Sequence, residues 1–229
     1  MPDEPVLLIT GASSGIGAAT ARHAVDAGWR VVLAARSLDR LEALAGELGA
    51  ERALPIRCDV TSWDDQQAAV AAAYDRFGRL DAAFANAGFG AKRGFLEESV
   101  EHWRSMVLTN VYGCALTIRA CLARFREQNA GHFLLTSSVA GRRALPGSLY
   151  SATKHAVTAM GEALRQEVAD TPMRVTLIEP GMVDTPFFDQ RPEGALHADD
   201  IARAVMFALS QPPHVDVNEI LVRPVNQRN

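Results

Sequence analysis

The sequence predicts an α/β fold, a Rossmann-like doubly wound parallel sheet of about seven strands with helices on both faces. Three observations predict it. Short apolar, β-branched runs alternate with alanine-rich stretches of helical length, the pattern of parallel strands joined by crossover helices. The strand runs, such as Val31-Val32-Leu33-Ala34-Ala35, are almost continuously apolar, as strands covered on both faces must be. A chain of 229 residues that is 48% hydrophobic is long enough for one well-buried core, so residues 1–229 are expected to form a single domain.

In chain order, strands are predicted at 6–10, 30–35, 53–58, 80–85, 132–137, 174–179 and 219–222. Helices are predicted at 16–27, 38–48, 63–77, 100–128, 150–170 and 199–209, with Gly28 and Gly49 where C-terminal caps belong. The Pro/Gly-rich stretches at 144–148 and 185–194 are too short to mark a domain boundary, and no repeat or low-complexity linker interrupts the chain.

Bulk properties exclude several classes of partner. A formal charge of -4 with scattered arginines offers no basic field for nucleic acid. Cys58, Cys114 and Cys121 are odd in number and lack zinc spacing; the last two, seven apart on a helix, are separated by roughly 10.5 Å of rise, beyond the roughly 7 Å reach of a disulfide. A reduced, cytoplasmic protein is expected. Neither a secretory signal nor eighteen uninterrupted apolar residues is present, so no membrane association is expected. The six histidines show no metal-ligand spacing, and no metal is expected.

The run Val6–Ile9 leads directly into Thr10-Gly11-Ala12-Ser13-Ser14-Gly15-Ile16-Gly17 and then into helix. Strand, glycine turn and helix in that order are what a dinucleotide site requires. Glycines let the backbone approach a pyrophosphate, and the helix N-terminus offers it unpaired N–H groups and partial positive charge. An ordinary strand-to-helix loop relieved by glycine is the plainer alternative. Selectivity for the adenosine half falls at the end of the second strand, where a carboxylate would hold both ribose hydroxyls of NAD. This chain has Ala35 followed by Arg36 and Ser37, which together with Ser14 favour the 2′-phosphate of NADP. Asp59, in Cys58-Asp59-Val60, is placed either to accept from the adenine amino group or to cap the next helix.

Tyr150-Ser151-Ala152-Thr153-Lys154 opens a helix, and residues four apart share a face, so phenol and ammonium point into one cleft. A proton must reach oxygen as hydride reaches carbon, yet a free phenol titrates near 10, poorly matched to neutral pH. A neighbouring ammonium stabilises phenolate and is expected to lower that value by about 1–3 units. Ser137-Ser138, at the carboxyl edge of the fifth strand, can hold a substrate oxygen against the tyrosine; a local backbone hydrogen bond is the alternative for each.

Taken together, Thr10-Gly-x-x-x-Gly-x-Gly, Asn86-Ala87-Gly88, Asn110, Ser138, Tyr150-x-x-x-Lys154 and Pro180-Gly181-x-Val183-x-Thr185 resemble, in order, the motifs of the short-chain dehydrogenase/reductase superfamily. The resemblance spans nearly the whole chain. It implies a dinucleotide-binding catalytic domain that exchanges hydride between NADP(H) and a small-molecule carbonyl or alcohol. It further implies Tyr150 as acid/base, Lys154 as the ribose-binding residue that tunes it, and Ser138 as the carbonyl polariser. Asn110 is implied to hold a water linking lysine to solvent, Asn86–Gly88 to support the adenosine ribose, and Pro180, Gly181, Val183 and Thr185 to fix the nicotinamide carboxamide. A homodimer or homotetramer through the 100–128 and Tyr150 helices is also implied.

The sequence departs from the pattern in two places. Ala85 stands where many relatives have asparagine, and Ser138 lies twelve residues before Tyr150 rather than thirteen, the usual spacing that Ser137 has. Ser138 is favoured because Val139-Ala140-Gly141 also match. The tail from Val215 to Pro224 is similar to the branch containing 3-hydroxy acid and serine dehydrogenases, which leaves a 3-hydroxy acid dehydrogenase as the alternative, and a cofactor-binding sensor without turnover as a second. Residues 187–196 form a short stretch where relatives carry a substrate-covering segment, predicting a more open pocket. Arg142 and Arg143 are either solvated or available to a substrate carboxylate.

Overall fold

The computed structural model describes residues 4–187 and 193–227. Seven parallel strands form the central sheet: β1 (Val6–Thr10), β2 (Arg30–Ala35), β3 (Ala53–Arg57), β4 (Ala82–Ala85), β5 (His132–Thr136), β6 (Arg174–Pro180) and, last in the chain, β9 (Glu219–Val222). Their spatial order is β3-β2-β1-β4-β5-β6-β9. The chain therefore reverses direction across the sheet between β1 and β4, and the carboxyl ends of those strands open the crevice in which such folds bind ligands. A two-stranded ribbon, β7 (Val183–Asp184) with β8 (Leu196–His197), lies beyond β6; the sequence carries no alternation long enough to predict it. Residues 188–192, part of the 187–196 stretch that bears on how open the pocket is, lie outside the described residues.

Alternation along β1 divides the core. Leu7 and Ile9 pack on one face with α1 (Gly15–Asp26), α2 (Leu38–Leu48) and α7 (Ala198–Leu209). Val6 and Leu8 pack on the other with α3 (Trp63–Phe77), α5 (Cys114–Gln128) and α6 (Leu149–Glu167). All four side chains are fully buried, each stabilising the fold by about 1.5–3 kcal/mol. Alanines at 18, 21 and 24 in α1 supply the small surface on which Ile201 and Val205 of α7 rest.

The boundaries move by one to three residues, each for a local reason. The fourth strand begins at Ala82 because Asp81 accepts from the Val6 amide (2.7 Å) and pairs with Arg79. The 53–58 and 132–137 strands each end one residue early; Ser137 instead turns inward to the α6 backbone. The sixth strand runs on to Pro180, and the helix after Ser148 starts at Leu149 and stops at Glu167, where Thr171 folds back to the Val168 carbonyl (2.6 Å). The single helix predicted at 100–128 is α4 (Val100–Val107) and α5 joined by a π-helical segment, Leu108–Gly113. By length and composition Val100–Gln128 is apolar enough to cross a membrane; its Met106, Cys121 and Phe125 are fully buried in the protein core. The three cysteines are free and buried.

Candidate active site

The turn between β1 and α1 is closed to any side chain at two glycines. Gly11 has a φ of 68°, and a Cβ there would stand 2.9 Å from the Ala87 Cα; a Cβ on Gly17 would meet the Gly11 carbonyl oxygen at 2.3 Å. Ser14 precedes α1 without forming a side-chain cap, and no acidic residue occupies the helix's first turn. The result is a backbone cradle at a positive helix end, which fits a pyrophosphate.

A cleft of about 1170 Å³ starts at this cradle. Gly11, Ser13, Ser14, Gly15 and Ile16 line its beginning, followed by Arg36 and Ser37 from the end of β2, then Asp59 and Val60. It continues past Asn86, Ala87 and Gly88 to Ser137, Ser138, Tyr150 and Lys154, and ends under Pro180, Gly181, Val183 and Thr185. Of the sequence-predicted site residues, only Gly17 and Asn110 stand behind the wall rather than in it. Gly17 is buried against the turn. Asn110, 1% exposed, accepts from the Phe89 amide (3.0 Å) and donates to the Phe89 carbonyl (2.9 Å) and Thr153 (3.1 Å), so its side chain braces the Gly88–Phe89 segment that follows β4.

At the end of the cleft beside β2 and β3, Asp59 accepts from the amide (2.9 Å) and hydroxyl (2.8 Å) of Thr61, which holds its carboxyl below the usual range. The cap of α3 is Ser62, which accepts from the Asp65 amide at 3.2 Å; the capping alternative for Asp59 is thereby corrected. Asn86 ties three strand ends together: its amide donates to the Thr10 carbonyl (3.1 Å), its N–H meets the Thr10 hydroxyl (3.0 Å), and it accepts from Thr136 (3.2 Å).

At the other end, Tyr150 stands in the first turn of α6 with Lys154 one turn on, Nζ 5.6 Å from the phenol ring centre. Lys154 is 4% exposed and donates to the Thr136 carbonyl at 2.7 Å. Burial dominates both groups: it lowers the lysine to about 8 and raises the tyrosine to about 12, with hydrogen bonding to Ser138 pulling the tyrosine the other way. The expectation that the ammonium lowers the phenol is corrected. Lys154 Nζ donates to the Thr136 carbonyl and lies over the phenol ring, and desolvation is the largest influence on the tyrosine.

The two serines separate clearly. Ser137 is turned under α6, bonded to the Lys154 carbonyl (3.1 Å) and Thr158 (2.7 Å). Ser138 donates to the Pro180 carbonyl (3.2 Å), accepts from the Ala140 amide (3.1 Å), and faces Tyr150. Arg142 is not available to a substrate, because its Nε is shared between both Glu179 oxygens (2.8 Å each) and its Nη2 reaches Glu219; Arg143 lines the cleft.

Sequence reasoning missed three contributors. Phe187 lies edge-on to Tyr150, ring centres 5.5 Å apart, in space that Gly90 leaves by lacking a side chain. Asn226 and Gln227, from the last described residues, also line the cleft, and the Gln227 amide oxygen accepts from Met182 N at 2.9 Å. No motif or periodicity marks these positions.

Among known proteins, the chain matches the family described as short chain dehydrogenase over residues 5–195. It is 42% identical to an uncharacterized oxidoreductase of Staphylococcus haemolyticus, covering 96% of this chain and 97% of that protein. An alcohol dehydrogenase from the archaeon Thermococcus sibiricus, solved with 5-hydroxy-NADP, superposes with a TM-score of 0.92 at 35% identity over 99% of each chain. Serine dehydrogenase from Escherichia coli superposes with a TM-score of 0.90 at 31% identity, over 98% of this chain and 100% of that one. The chain belongs to the short-chain dehydrogenase family and is an oxidoreductase acting on CH–OH groups.

Proposed function

We propose that the protein transfers hydride between NADP(H) and a carbonyl or alcohol substrate, with Tyr150 as general acid/base. The observation that carries this reading is the convergence of Ser138, Tyr150 and Lys154 on the cleft that the glycine turn opens. Bound in that cleft, the nicotinamide would supply or accept the hydride. Gly11–Ile16 would hold the pyrophosphate, Lys154 the nicotinamide ribose, and Pro180, Gly181, Val183 and Thr185 the carboxamide. Asp59 and Val60 would flank the adenine, and Asn86–Gly88 its ribose.

In the reducing direction, the Ser138 hydroxyl orients the substrate oxygen and Tyr150 delivers its proton to that oxygen as hydride reaches carbon. The raised pKa keeps Tyr150 protonated at neutral pH, so a proton is present to deliver, while making it a weaker acid than a free phenol. Asn110 acts as a positioning residue through Phe89. A homodimer or homotetramer is supported by the exposed Val107, Leu108 and Tyr112 on the 100–128 helix pair.

The preference for NADP rests on Arg36 and Ser37, with no carboxylate at the end of β2. Fluorescence titration should give tighter binding of NADPH than of NADH, and Arg36→Asp should abolish the difference. Equal affinities in the parent protein would remove the claim. A second reading, a 3-hydroxy acid dehydrogenase, is favoured by Arg143 and Arg93, which line the substrate end with no ion-pair partner among the described residues.

A further inference from the structure

Arg142 and Glu179 take no part in the chemistry described so far, yet they form an unusually placed ion pair. Glu179 is 0% exposed on β6, and both its oxygens accept from the Arg142 Nε at 2.8 Å. The pair joins two segments that also meet inside the cleft. Arg142 ends the short 3-10 turn Val139–Gly141 that follows Ser138, and its N–H donates to the Val139 carbonyl at 3.1 Å. Glu179 immediately precedes Pro180, whose carbonyl accepts from the Ser138 hydroxyl at 3.2 Å. The same two segments are thus fastened twice, once at Ser138 in the cleft and once behind it through the guanidinium.

The turn has no slack. A Cβ on Gly141 would lie 2.4 Å from the Ser137 Oγ and 2.7 Å from the Lys154 carbonyl, so the segment is clamped between α6 and β6. Beyond it, the Gly181 amide donates to the Val222 carbonyl at 2.7 Å, and the third arm of Arg142 reaches Glu219 on β9. A surface arginine has no need of a buried carboxylate, and a buried carboxylate is tolerated only when paired and hydrogen-bonded. We propose that Arg142 and Glu179 are positioning residues that set the Ser138 hydroxyl at the orientation catalysis needs, by locking the Ser138 turn to the Pro180–Gly181 loop.

This inference rests on the reading of Ser138 as the residue that orients the substrate oxygen. Its test is a double-mutant cycle on kcat with NADPH and an accepted carbonyl, using Arg142→Lys and Glu179→Gln in the parent and in Ser138→Ala. Lysine keeps the charge but cannot reach Glu179 and Glu219 with separate nitrogens as the guanidinium does, and glutamine keeps the volume; NADPH binding and melting temperature verify that each variant is folded. In the parent background each change should lower kcat on the order of 10- to 100-fold. In Ser138→Ala the same changes should cost little, because the hydroxyl they orient is gone. Equal losses in both backgrounds, or none in the parent, would overturn the inference while leaving the proposed function standing. An undiminished kcat in Ser138→Ala itself would overturn the role of Ser138 and this inference with it.

Discussion

Lys154 is the residue whose chemistry the fold alters most. Buried on all sides and bonded to the Thr136 carbonyl, it loses its proton near 8 rather than above 10. Its folded value lies below its ordinary one, so the charged form present at pH 7 disappears as pH rises through 8. If the ammonium anchors the cofactor ribose, kcat/KM for NADPH should be level below pH 7 and fall tenfold per unit above about 8; a flat profile from 7 to 10 would contradict the role. The pairing itself was legible in the sequence, because four-residue spacing on a helix needs no other information to put Tyr150 and Lys154 on one face. The direction of their titration was not. It depends on how deeply each group is buried and on where Nζ points, and neither is written in local spacing. Ser138 is favoured over Ser137 by the residues that follow it, but the spacing to Tyr150 points the other way, and only the course of the chain after β5 turns the Ser137 hydroxyl under α6 and leaves Ser138 facing Tyr150.

Among the elements, the β1–turn–α1 unit was read almost to the residue, because strand apolarity, glycines and helix period all agree there. Gly17 has the sharpest consequence. A Cβ would press on the Gly11 carbonyl oxygen at 2.3 Å, whereas Gly46, inside α2, has nothing within 4 Å. Gly17→Ala should therefore destabilise the protein by about 1–3 kcal/mol and weaken NADPH binding, while Gly46→Ala should stabilise it by about 0.5–1 kcal/mol. Thermal melts with and without NADPH check both; equal effects would refute the close approach in the turn. The π segment Leu108–Gly113 was not foreseen. Its apolar spacing continues that of a single α-helix, and the insertion becomes visible only through the backbone bonds that let the Asn110 side chain reach Phe89. The ribbon of β7 and β8 escaped because two-residue strands carry no period.

For the whole molecule, burial inside the sheet also sets a pH limit on stability. His132 begins β5 at 2% exposure, with one ring nitrogen on Thr176 (2.8 Å) and the other without a partner among the described residues. Burial, aided by Arg174, lowers it to about 3 from an ordinary 6.5. The unfolded chain therefore binds a proton that the folded protein refuses between those values, so stability is complete above about 6.5 and is lost as pH falls toward 3. Between pH 7 and 5 this one group should remove about 2 kcal/mol. Urea unfolding should show that loss in the parent and not in His132→Gln; the same slope in both would assign it elsewhere. The architecture itself followed from alternation and strand apolarity, but the contribution of Phe187 and Gln227 to the cleft required the folded chain, since each is far in sequence from the residues it meets. In the proposed function the acid/base role falls to Tyr150, toward which these segments converge. Tyr150→Phe removes one oxygen, and should leave the dissociation constant for NADPH within about twofold while lowering kcat on an accepted ketone on the order of 10²- to 10⁴-fold. Turnover at the parent rate in that variant would contradict it.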